Sequence, residues 1–258
     1  MSGATGWWRG CPEAYSLPMS RRVWGTPQFV LRAAIVVCGV VGLLIGDHRV
    51  VYFTAQSNLL VLAYFVGALY WMTKRDSVWP PAPRWRGAVT LWILITCLIS
   101  HFLLSHGKNP LPGLAAPGAG VALANWSLFL VHYVVPVLVL TDWVAFGPHR
   151  IVRWRDVPIW IAYPLGYGLV IEVRGALFPA VPIKYPYFFL DPAGHGYGWV
   201  GLQFVQLAII FGVFAVGVVG LDRLGAVLGW GRFDVGGDVV EPAESSAGGS
   251  SPTAALRP

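Results

Sequence analysis

Residues Trp199–Leu221, WVGLQFVQLAIIFGVFAVGVVGL, decide the class of this chain, because the run contains no charged residue. A bilayer's hydrocarbon core of about 30 Å takes roughly 20 apolar residues in helical form. In hydrocarbon, only helices and closed barrels satisfy every backbone polar group. The run is continuous rather than alternating, which selects a helix over a barrel strand. Five further stretches read the same way: Gln28–Gly46, Tyr52–Met72, Gly87–His106, Val121–Phe146 and Val157–Arg174. The sequence therefore predicts an all-α polytopic membrane protein, a bundle of six transmembrane helices.

Composition agrees with that reading. Hydrophobic residues make up 56% and charged residues 12%, about half the roughly 25% charge of soluble domains. The net charge of +6 is concentrated in loops and tails. Arg9, Arg21, Arg22, Lys74, Arg75, Arg84, Arg86, Arg150, Arg153, Arg155, Arg223, Arg232 and Arg257 fall on one side, thirteen in all. Only Arg49, Lys108, Arg174 and Lys184 fall on the other. The positive-inside rule places both termini in the cytoplasm of a multi-pass protein of the cell membrane. Basic residues so placed are orientation signals, which argues for membrane lipids and against nucleic acid as partners. Residues 1–25 then form a cytoplasmic tail and 26–225 the membrane domain. Residues 226–258, rich in Gly, Ser, Pro and Ala, form a second tail expected to be disordered.

Cys11, Cys38 and Cys97 show no CxxC or zinc spacing, so they read as small hydrophobes without disulfides. His101 and His106 are five apart, off the face that a metal-binding helix uses. No metal or cofactor is expected. Gly42 and Gly46, with Gly217 and Gly220, mark places where helices can approach closely in lipid, which leaves a homo-oligomer open. No internal repeat is evident, which counts against a transporter.

Polar residues inside spans are costly, and each is a functional candidate. They gather toward one leaflet, while the opposite halves of the spans read as almost purely apolar. Thr54, Ser57 and Asn58 share one face of span two, by their i, i+3 and i, i+4 spacing. His132 lies in WSLFLVHYVVPVLVL, four residues before Pro136. That proline cannot donate to the His132 carbonyl, so a kink is expected beside the imidazole. A neutral histidine there is a suitable general base. Counting from the interface, His132 lies roughly 9 Å deep and Thr54 only about 3 Å, a gap that helix tilt must close. His101 in span three and Gln203 and Gln206 in span six face the same leaflet. Glu172 and Arg174 read as rim charges, and Asp142 as reaching the headgroups or Arg150–Arg155. The loop Gly175–Gly198, with four prolines and a dense aromatic run, reads either as a partial lid or re-entrant cap on the outer mouth or as an interfacial loop with aromatic anchors.

At FTAQSN in span two and HYVVPVLVLTDW in span four, the chain resembles the bacterial Pr-six-Pr-type membrane proteins. More distantly it is similar to the androgen-induced-gene family of intramembrane threonine hydrolases. The resemblance covers roughly Phe29–Leu221. It implies a Thr nucleophile at Thr54, a His at His132 and a further site residue at Tyr167, after Gly166. The polar TAQSN run makes Ser57 a rival nucleophile. The activity implied is hydrolysis of fatty-acid esters entering from the outer leaflet. Asn58, Gln203 or Gln206 would support the developing oxyanion, and His101 would belong to the surrounding polar shell. The alternative is a non-enzymatic binder or carrier of a lipid or small amphiphile.

Overall fold

Thr26 starts the first long helix by accepting the Phe29 N–H at 3.3 Å, and Pro27 supplies a φ already suited to the first helical position. The structure, a computed structural model, describes residues Val23–Trp230. Its helices are α1 (Pro27–Leu44), α2 (Phe53–Arg75), α3 (Pro83–Leu98), α4 (Ala119–Phe129), α5 (Val135–Ala145), α6 (Asp156–Leu177) and α7 (Gly196–Leu228). A widened π turn, Ile99–Leu104, prolongs α3, and a second, Leu130–Val134, joins α4 to α5. Among the described residues there is no strand. Most of the two expected tails, and Cys11, lie outside the described residues; of the parts described, Val23–Gly25 form a 3-10 turn and α7 runs on to Leu228 rather than giving way to the tail at 226.

Among the described residues, five helical units are long and apolar enough to cross a membrane: α1, α2, α3 with its π turn, α4 through α5, and α7. Helix α6 departs from the expected six equivalent spans. Its 22 residues include Asp156, Glu172, Arg174 and Pro164, and these dilute its apolar content. It nevertheless runs the length of the bundle. Asp156 pairs with Arg84 at 3.6 Å at one end, and Arg174 donates to the carbonyls of Pro182 and Ile183 at the other, each at 3.0 Å.

Helix α3 is the central element, packed against α2, α5, α6 and α7. Arg86–Ile93 are buried without interruption. Gly87 lets the rings of Trp143 and Trp160 close onto α3, where a Cβ would overlap Trp160. Helix α1 approaches the second π turn through Gly42, where a Cβ would lie 2.8 Å from Val131 and 3.0 Å from Leu130. Gly217 and Gly220, by contrast, face open space.

The basic end of the bundle is not purely apolar, which corrects the sequence reading. Arg32 on α1 and Arg86 on α3 both meet Asp142 on α5, at 2.8 and 3.5 Å, with all three side chains buried. Asp142 therefore turns inward, away from the headgroups and the Arg150–Arg155 loop. A charge removed from water must be paired, and at this depth the facing helices supply the partners. Arg86 also donates to the carbonyls of Phe146 and Gly147 and lies over the Trp143 ring. Nearby, Asp222 of α7 accepts the Val152 N–H at 3.2 Å. Glu172, read as a rim charge, is also buried, and among the described residues its carboxylate oxygens have no hydrogen-bond partner.

Candidate functional site

Thr54 is the second residue of α2, whose N-cap Tyr52 gives no side-chain cap. His132 sits in the π turn between α4 and α5. Because Pro136 has no N–H, the backbone reroutes, and the Val135 N–H bonds to Leu130 O five residues back. The expected kink takes this form, a local widening of the helix.

The His132 ring is fixed from both sides. Its Nδ1 lies 2.9 Å from the Leu128 carbonyl, and a carbonyl only accepts, so we assign the proton to Nδ1. That leaves the lone pair of Nε2 facing Thr54 Oγ1 at 3.2 Å, placed to accept the hydroxyl hydrogen. The depth gap counted along the helices closes because helical side chains lean toward the N-terminus. The imidazole of His132 reaches back one turn, up to the level of Thr54.

The other candidates separate. Ser57 contacts Thr96 Oγ1 at 2.7 Å and the Thr54 carbonyl at 3.1 Å; it faces α3, with no imidazole in reach. Asn58 donates from Nδ2 to the carbonyls of Thr54 and Val131, at 2.9 and 3.3 Å. Both of its amide hydrogens are committed to holding α2 against the π turn, which removes it as an oxyanion donor. His101 contacts the Tyr133 hydroxyl at 3.2 Å, apart from Thr54. Neither Gln203 nor Gln206 joins Phe204, Leu207 and Phe211 of α7 in lining the cleft described below; Gln203 is half-buried and Gln206 exposed. Tyr167 lies by the site, its hydroxyl donating to Val51 O at 2.7 Å and its ring against Phe53.

Thr54 also forms part of the wall of an apolar cleft between α2, α3, α6 and α7, with about 520 Å³ of empty space including its mouth. Thr96, Ser100, Tyr167 and Tyr187 are the other polar side chains along it. The aromatic loop covers it: Tyr187, Phe189 and Leu190 are buried, and the first two rings stack at 5.2 Å.

Two residues escaped the sequence reading. Tyr187 lies against the Thr54 side chain and the Phe53–Thr54 backbone; burial pushes its phenol above the ordinary range, so the hydroxyl keeps its proton. Only the position of Tyr187 within the aromatic loop hinted at this. His48, in the short turn after α1, contacts Ser127 Oγ at 2.5 Å. Ser127 donates to Gly42 O at 2.6 Å, so it receives the His48 N–H. Burial lowers the His48 pKa below its usual 6.5. The Gly46–Asp47–His48 turn carries no spacing signal that would have marked it.

The arrangement thus offers a hydroxyl with a proton acceptor on one side and an apolar cleft on the other. No protein-family model, curated protein or solved structure matches this chain.

Proposed function

We propose that this chain is an integral membrane hydrolase of lipid esters, with Thr54 as nucleophile and His132 as its base. In this reading all six long helices span the bilayer, both termini face the cytoplasm, and the site opens toward the outer leaflet. Kinship with the Pr-six-Pr-type proteins belongs to the same proposal. The observation that carries it is the position of Thr54 Oγ1, 3.2 Å from His132 Nε2 and in the wall of the cleft.

The chemistry follows from that placement. Thr54 Oγ1 attacks the ester carbonyl carbon as its proton passes to His132 Nε2. The carbonyl oxygen becomes an oxyanion beside the start of α2, where first-turn N–H groups and the Tyr187 hydroxyl are the available donors. Collapse breaks the bond to the alcohol oxygen, which leaves with the proton from His132. Water then attacks the acyl-threonine, giving its proton to His132. Release of the carboxylic acid returns that proton to Thr54.

The test is labelling of purified protein by a fluorophosphonate probe, comparing wild type with Thr54→Ala, Ser57→Ala and His132→Ala. Labelling should vanish in the first and third variants and persist in Ser57→Ala. A folded wild type that takes no label would refute an activated threonine and leave a binder of lipid or amphiphile.

A further inference from the structure

We infer that the cleft below Thr54 is a bounded acyl-binding site, closed by Phe211 and fitted to a saturated chain of about eight carbons. The inference rests on the proposed hydrolase reading for its ester, but not for its geometry. Four contacts set the helices in register. The Tyr167 hydroxyl bonds Val51 O at 2.7 Å and that of Tyr163 bonds Gln56 Oε1 at 3.1 Å, which sets α6 level with the start of α2. Gly168 of α6 lies so close to Phe204 of α7 that a Cβ would come 2.9 Å from the ring. Ser57 and Thr96, 2.7 Å apart, set the depth of α3.

Phe204 therefore stands near the level of Thr54, and Phe211 lies seven residues deeper, about 10 Å along the helix. On α3 the deepest lining residue is Ile95, beside Thr96. Phe211 and Ile95 are both buried, and with Leu207 they close the lower end. An extended hydrocarbon advances roughly 1.25 Å per carbon, so 10 Å accepts about eight carbons. Below Thr96 the lining residues are apolar, so a polar or charged acyl group would lose its hydration without compensation.

The test uses the full chain in lipid nanodiscs and saturated fatty acids of four to sixteen carbons, read by thermal stabilisation and by displacement of a fluorescent fatty acid. Binding needs no turnover, so a dead enzyme still reports on the cleft. Wild type should bind best near eight carbons, with affinity falling at least tenfold by fourteen. Phe211→Ala, or the milder Phe211→Leu should the first not fold, should move the optimum to longer chains. Val205→Ala, on the exposed side of α7 and away from the cleft, should keep the wild-type optimum. Equal binding of all lengths, or an optimum unmoved in both Phe211 variants, would overturn the bounded cleft whatever the labelling experiment shows. A clear optimum without fluorophosphonate labelling would keep the cleft and remove the hydrolase.

Discussion

The approach of Thr54 to His132 depends on the residues around them. Asn58 is fully buried and spends its amide on the carbonyls of Thr54 and Val131. Replacing it with Leu removes both bonds; the Thr54 carbonyl keeps the Ser57 hydroxyl, while the Val131 carbonyl loses its bond from α2, at a cost of about 1–3 kcal/mol. Thermal unfolding should show that loss, and probe labelling should weaken with it as Thr54 shifts from His132. His48 yields a pH dependence. Its native pKa is lowered by burial, so below about pH 6.5 the unfolded chain takes up the proton more readily than the native one. Its contribution to stability is full above that pH and is lost as pH falls toward the native value. The melting temperature of wild type should therefore slope downward below about pH 6.5, and His48→Gln should flatten that slope. At this scale the sequence was informative at Thr54 and at the His132–Pro136 interval, since the fold brings the Thr54 and His132 side chains together. It was silent on where amide hydrogens go. Asn58 looked like an available donor because its face was legible and its committed partners, on another helix, were not.

Among the elements, the second π turn is the part most exposed to a small change. Pro136→Ala restores an N–H and lets Leu130–Val134 tighten to an ordinary helix, rotating His132 away from Thr54. A misplacement of about 1 Å can cost as much as 100-fold in rate, so labelling by the fluorophosphonate should slow by at least tenfold while the melting temperature holds or rises. An unchanged labelling rate would mean that the π turn does not position the imidazole. Gly42→Val tests the same region from α1: its side chain meets Val131 and Leu130 at contact distances too short to keep. Overpacking of this kind costs typically 1–3 kcal/mol, visible as reduced thermal stability. The proline made the second turn partly legible, as a kink. The first, Ile99–Leu104, contains no proline, and no residue in it announces the widening. Most helix ends were readable within a few residues because charge, Pro and Trp mark them, but α7 runs past the expected Leu221 to Leu228. The depth of a side-chain tip was not, because helix counting locates Cα atoms alone.

For the whole molecule, the basic end joins α1, α3 and α5 through one carboxylate that serves two guanidiniums. Asp142→Asn leaves Arg32 and Arg86 facing each other without a counter-charge; removing one partner of a buried pair costs about 3–5 kcal/mol. Arg32→Met should cost less, since Arg86 still reaches Asp142. Comparative unfolding in detergent distinguishes the two, and equal losses would show that Asp142 is not the hub. Apolar runs made the long helices legible, five of them among the described residues long and apolar enough to cross a membrane. The ion network stayed hidden because three residues, 54 and 56 positions apart in the chain, meet only after the helices assemble. Helix α6 shows what such assembly demands of biogenesis. In the six-span arrangement its Asp156, Glu172 and Arg174 weaken its own partition into lipid, and its packing partners include α7, which leaves the ribosome later. A nascent chain cut before Gly196 should therefore hold α6 poorly in the bilayer, and membrane integration of this segment becomes a late step that waits for the final helix to be synthesised.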